Sequence, residues 1–116
     1  RRLDRVSQLF KDEIGRIIQQ ELKDTRLGFI TVTSVKLTPD LRQAWVYVSV
    51  LGDEVTKEKA KEGLESASGY IKKIMGERIR MRYTPEITFE LDESFKKVKY
   101  IEDILDKIKQ EGKEKE

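Results

Sequence analysis

Cysteine and histidine are both missing from these 116 residues. Without cysteine there can be no disulfide, thiolate nucleophile or thiolate metal site, and the chain suits a reducing cytoplasm. Without histidine the commonest metal ligand and the commonest general base are lost together. Proline occurs only twice, and no linker or internal repeat divides the chain. The apolar runs span a few residues each, too short for a membrane helix. The opening residues alternate charged and apolar types and lack the apolar centre of a signal peptide. No phosphate loop, nucleophile elbow or metal-ligand spacing is present. These absences argue against catalysis, a metal, a cofactor, a small-molecule substrate and a membrane. The chain starts at Arg1 and not at Met, which leaves room for further native residues ahead of it.

What is present is one domain's worth of chain, long enough to bury roughly two thirds of its extended surface. Charged residues make up 40% of it, yet the net charge is only +2. Distribution says more than the sum. Between Gly69 and Arg82 the charges are Lys72, Lys73, Glu77, Arg78, Arg80 and Arg82, five basic against one acidic. Arg1, Arg2 and Arg5 surround a single Asp4 at the start, whereas Asp92 to Glu116 is nearly balanced. Clustered basic charge is the pattern of a nucleic-acid face.

Apolar residues recur at steps of three and four from Leu3 through Val6, Phe10, Ile14, Ile17 and Ile18 to Leu22, which predicts an amphipathic helix over about 3–23. Residues 24–28 then turn the chain. Two β-rich stretches follow, 29–37 and 44–50, the second with strict alternation of Ala44, Val46, Val48 and Val50 against Trp45, Tyr47 and Ser49. Thr38-Pro39-Asp40-Leu41 between them reads as a turn, so the strands should be antiparallel. Next, Ala60, Gly63, Leu64, Ala67, Ile71, Ile74 and Met75 share one helical face. The stripe keeps its phase through Ala67-Ser68-Gly69, which excludes an inserted loop and predicts two helices meeting at a bend. Tyr83-Thr84-Pro85 leads to a third strand with Ile87, Phe89 and Leu91 on one face, Pro85 standing at its start or on an edge. Ser94 is positioned to cap a final amphipathic segment carrying Phe95, Val98, Ile101, Ile104, Leu105 and Ile108. The domain is expected over 1–109, with 110–116 a charged, disordered tail.

Four segments resemble one known family. Leu37-Thr38-Pro39-Asp40-Leu41-Arg42-Gln43-Ala44 with Val46 to Val50 is similar to the hairpin of the ribosome-binding factor A family. Ala67-Ser68-Gly69-Tyr70-Ile71-Lys72-Lys73 resembles that family's Ala-x-Gly kink, which stands where most KH domains have Gly-x-x-G. Arg80-Met81-Arg82 leading to Pro85–Phe89, and Asp92-Glu93-Ser94, resemble its third strand and the motif after it. The likeness runs from about Arg2 to Ile108; Lys72 departs from it, standing where an arginine is usual and losing bidentate phosphate geometry. It implies an α+β fold: a single KH type II-like domain in the order αββααβ, a three-stranded sheet packed against helices, plus a C-terminal helical segment. It also implies a monomeric cytoplasmic factor that associates with the free small ribosomal subunit and its precursors. Such a factor would bind small-subunit ribosomal RNA and assist its late maturation, including at low temperature.

Two places are candidates for RNA contact, and each has a plainer reading. Ala67, Ser68 and Gly69 either leave a low-bulk patch beside a helix N-terminus, where amides attract phosphate, or merely let helices pack closely. Lys73 and Arg80 lie opposite the apolar stripe with Lys72 on the flank and Arg82 beyond; they form a phosphate-contacting ridge or an ordinary solvated face. Arg1, Arg2 and Arg5 add either nonspecific phosphate attraction or solubility alone. Trp45 and Tyr47 either stack on bases or cover the sheet. Two other functions compete with the ribosomal one: a protein-interaction adaptor, and a general single-strand RNA-binding KH module, which the lack of Gly-x-x-G disfavours.

Overall fold

In the computed structural model, residues 2–22 and 28–114 are described, the side chains of 95–97 and 113–114 excepted. The first apolar stripe forms helix α1 (Arg2–Gln20) and buries Phe10, Ile14, Ile17 and Ile18. Val6 and Leu22 pack at the edge of the same core. The turn expected at 24–27 lies outside the described residues.

Strands β1 (Ile30–Leu37) and β2 (Gln43–Val50) pair antiparallel. In β2 the alternation reads directly as burial, with Ala44, Val46, Val48 and Val50 inward. β1 is less regular. Its register slips between Val32 and Ser34, so Thr33 is an extra residue in a β-bulge. The bulge changes the inward set from Ile30 and Val32 to Val35 and Leu37. The turn joining the strands is strapped by its own polar groups. Thr38 Oγ1 donates to Asp40 Oδ1 at 2.6 Å, and the Asp40 carboxylate accepts from the Arg42 amide at 3.1 Å. The Leu41 amide donates to the Thr38 carbonyl at 2.8 Å. Leu41 itself sits at φ 59°, a left-handed conformation that costs a leucine about 1–2 kcal/mol.

A parallel third strand requires a long crossover, and helix α2 (Glu54–Arg78) supplies it. Asp53 caps its start by accepting from the Thr56 amide at 2.8 Å. Ala60, Gly63, Leu64, Ile71, Ile74 and Met75 are buried along one side. The unbroken phase at Ala67-Ser68-Gly69 is therefore real, but the two helices expected there are one uninterrupted 25-residue helix. In the αββααβ order, α2 fills the place of both central helices. Ser68 Oγ donates back to the Glu65 carbonyl at 2.8 Å, a bond compatible with continuing the helix.

Strand β3 (Glu86–Leu91) lies parallel to β2, giving the order β1-β2-β3. Pro85 is buried immediately before it, where no ladder donor is needed. Phe89 completes the core at 1% exposure. α1 packs on β1, and α2 on β3 and β2, so both helices cover one sheet face. Trp45 and Tyr47 point away from that core.

Helix α3 starts at Ser94 and runs to Glu114. The Asp92 carboxylate ties that start to the sheet, accepting from the Ser94 amide at 2.9 Å and from the bulged Thr33 hydroxyl at 2.6 Å. Beyond this tie, among the described residues, α3 makes no extensive contact with the other elements. Val98, Ile101, Ile104, Leu105 and Ile108 are all exposed. The helix also continues through Glu114, past the boundary set by composition at 110. Lys, Gln and Glu are good helix formers and extend a helix once it has begun. Residues 115 and 116 lie outside the described residues.

Candidate nucleic-acid interface

The end of α2 fixes the first part of the site. Arg78, its last residue, reaches Glu13 on α1 at 3.4 Å and Glu21 just past its end at 3.0 Å. Ile79 then leaves the helix in extended conformation, its amide still bonded to the Met75 carbonyl at 2.8 Å. Extended backbone alternates its side chains. Ile79 and Met81 turn toward the core, and Arg80, Arg82 and Tyr83 turn out.

The strapped β1–β2 turn supplies the second part. Arg42 follows Asp40 and Leu41, and its carbonyl accepts from the Glu86 amide at 2.9 Å, tying the turn to the start of β3. The third part is the start of α1, with Arg2, Val6 and Leu9 on successive turns. These three segments enclose a cleft of about 570 Å³. Its lining combines apolar groups from Leu41, Ile79 and Met81 with the guanidinium groups of Arg2, Arg42, Arg80 and Arg82.

Charge in this cleft is one-sided. Among the described residues, none of the four arginines has a carboxylate within salt-bridge distance. Asp40 is the one acidic group in the lining. The Thr38 hydroxyl and then the Arg42 amide hold its carboxyl below the usual range, so it stays ionised and already bonded. Instead of pairing with acids, two guanidiniums lie over the Tyr83 ring, Arg42 at 5.3 Å and Arg82 at 5.5 Å from its centroid. Such contacts are worth about 0.5–1 kcal/mol at exposed sites. Four guanidiniums against one carboxylate form an electrostatic sink for a polyanion.

The structure thus joins Arg2, Arg80 and Arg82 in one place and separates them from the other sequence candidates. Lys72 forms an ion pair with Glu86 on β3. Lys73 is exposed further up α2, and Arg5 is exposed on α1. Arg1 lies outside the described residues. At Gly69 both sequence readings need correction. The amides there belong to a continuous helix, so there is no helix N-terminus to attract phosphate. Nor does the glycine permit tight packing, since a Cβ added to it meets nothing within 4 Å. Ala67 does pack against the core. The sequence reading missed Arg42 and Tyr83. Arg42 directly follows a turn that was legible and so carried a signal, whereas Tyr83 falls out of phase with Arg80 and Arg82 and turns outward only because the chain bends there. No group of three or more acidic residues that could hold a metal is found among the described residues, nor is a helix long and apolar enough to cross a membrane.

A three-stranded mixed sheet covered on one face by two helices, with an arginine-lined cleft at one end, defines an α+β domain of KH-like build. The model of the ribosome-binding factor A family matches residues 2–105, and the chain belongs to that family. It is 49% identical over 110 residues to ribosome-binding factor A of Halothermothrix orenii, covering 95% of this chain and 90% of that one. The crystal structure of ribosome-binding factor A from Thermus thermophilus superposes with a TM-score of 0.70 at 29% identity, covering 77% of this chain and 93% of that one. The solution structure of a Thermotoga maritima protein described as a putative ribosome-binding factor A gives the same TM-score at 32% identity, covering 77% and 85%. A Thermus thermophilus homology model fitted into a cryo-electron microscopy map of a 30S complex with ribosome-binding factor A gives 0.64 at 30% identity, covering 75% and 91%.

Proposed function

We propose that this chain is an assembly factor that associates with the free small ribosomal subunit and its precursors. It binds small-subunit ribosomal RNA and assists its late maturation, including at low temperature. It acts in the cytoplasm as a monomer, by binding and not by catalysis, and needs no cofactor. The Thermus relative fitted into a 30S complex supports the choice of particle. The observation that carries the RNA contact is the gathering of Arg2, Arg42, Arg80 and Arg82 around one cleft that holds a single carboxylate, with none of the four in a salt bridge among the described residues. Arg5 and the exposed α2 face at Ser68, Gly69 and Lys73 extend the basic surface, and Arg1 continues the run ahead of Arg2.

Replacing Arg80 and Arg82 together with Gln tests the reading. If each contacts one phosphate, the plot of log K against log salt for small-subunit RNA flattens by about 1.4–1.8, at roughly 0.7–0.9 per contact. Both side chains are exposed, so the fold should survive. Glu102→Gln on α3 is the control and should leave the slope alone. A folded double variant with an unchanged slope refutes the site. One observation favours a second reading, a protein adaptor: the exposed apolar stripe of α3. Ribonuclease separates the two, because an RNA binder then leaves the particle and an adaptor keeps its partner.

A further inference from the structure

A site for duplex phosphates alone needs only a basic surface, because an A-form helix presents its backbone and hides its base faces. The arginine cleft has more than that. Its floor is apolar, from Leu41, Ile79 and Met81, and its volume of about 570 Å³ falls within the roughly 300–1,000 Å³ of small-ligand sites. Tyr83 is 56% exposed at its rim, an aromatic ring left in water. The guanidiniums of Arg42 and Arg82 lie over that ring, so planar cations and an aromatic ring are stacked together at the mouth of the cleft. A ligand that uses all of these features has a planar ring beside a negative charge.

We infer that the cleft receives one unpaired nucleotide of single-stranded RNA. Its base joins the stack of Tyr83 with Arg42 and Arg82, and its phosphates meet Arg80 and Arg2. The place is distinct from the middle of α2, where Gly69 lies. The turn geometry prepares it: Leu41 is held in a left-handed conformation, and the bonds among Thr38, Asp40 and Arg42 fix the backbone from which the Arg42 guanidinium extends. The inference rests on the proposal that this cleft meets RNA, and the two can fail separately.

The chain has two methionines, which makes methyl-labelled methionine a site-specific probe. Met81 lines the cleft, and Met75 sits in the core at 1% exposure. The full chain is titrated with a single-stranded RNA octamer, with a duplex of the same strand length, and with inorganic polyphosphate. The octamer should move the Met81 methyl resonance through base ring currents and leave Met75 in place, and polyphosphate should not reproduce that shift. Tyr83→Ala should weaken octamer binding about fivefold or more, as loss of one stacked base does, and change duplex binding less than twofold. Tyr83→Phe should bind as wild type. If Tyr83→Ala binds the octamer like wild type, or polyphosphate moves Met81 as far as the octamer does, the nucleotide site is refuted and the phosphate contact stands. If neither RNA binds, both proposals fall. Should Tyr83→Ala not fold, the comparison of octamer with polyphosphate on the wild-type chain decides the matter.

Discussion

Gly69→Ala should make the protein more stable. A glycine inside a helix costs about 0.8–1.0 kcal/mol relative to alanine, through the freedom the unfolded chain gives up. That gain is often cancelled by a clash or by a backbone angle that alanine cannot adopt. Neither applies at Gly69, which lies within the continuous helix α2, is exposed, and has open space where the Cβ would go. The full gain of about 1 kcal/mol should therefore appear. Unfolding entropy near 2.1 cal/mol/K per residue amounts to about 0.24 kcal/mol/K for a chain of this length, so Tm should rise by about 4 °C. Circular dichroism at 222 nm during heating measures it, and urea unfolding should give a higher midpoint with the same slope. An unchanged or lower Tm would mean that the helix is bent at Gly69 in a way that only glycine accepts. Binding supplies the second readout. If RNA backbone approaches this face, the stabilised variant should bind small-subunit RNA more weakly, with stability and affinity moving in opposite directions.

The Thr33 hydroxyl, then the Ser94 side chain and amide, pull the Asp92 carboxyl down to about 2 from its ordinary 3.8. A carboxyl lowered in the folded state stabilises the fold above its unfolded value and loses that contribution as pH falls through its folded value. The Asp92 contribution should thus be complete above about pH 5 and fade between about pH 4 and pH 2; carboxyl-carbon NMR should place the midpoint near 2, and Thr33→Val should move it upward. Gly52→Ala should destabilise by about 1–3 kcal/mol in a denaturant melt, because φ there is +137° and the new Cβ would stand 2.8 Å from Thr56 Cγ2. Inserting two residues after Ser68 rotates one half of the α2 stripe by about 200° and should cost several kcal/mol, the scale of emptying large core positions; unchanged melting would contradict the continuous helix. Truncation after Lys109 should change stability by less than about 0.5 kcal/mol, since Gln110 to Gly112 are exposed.

Elements with a strong period were readable in the sequence, and the reason is burial. The β2 alternation meets a continuous core at every inward residue, and the α1 stripe does so from Phe10 to Ile18, its first residue Leu3 remaining exposed. β1 was harder because its bulge falls among Thr, Ser and Val, all comfortable on a pleated surface, and nothing marks Thr33 as the extra residue. In α3 the pattern predicted the helix but could not say whether its stripe is covered. The arginine cleft was legible only in part. Arg80 and Arg82 belong to a visible basic run, and Arg2 to another, but Arg42 is an isolated charge until the crossover helix brings residues 79–83 beside the hairpin turn. Local charge counting cannot detect that meeting, because it depends on topology. The emphasis on Gly69 followed from the motif, whereas the arginine cleft forms just past the end of the same helix.

The loosely attached α3 has a consequence in solution scattering. A compact chain of 116 residues has a radius of gyration of about 13 Å, whereas this one has 18.2 Å and extends 65 × 37 × 18 Å. The pair-distance distribution should therefore be skewed, with a compact peak from the sheet and its two helices and a shoulder reaching toward 65 Å. Removing residues 94–114 should erase the shoulder and leave the peak where it was. Overall tumbling should be anisotropic for the same reason, so amides along the long axis would relax differently from those across it.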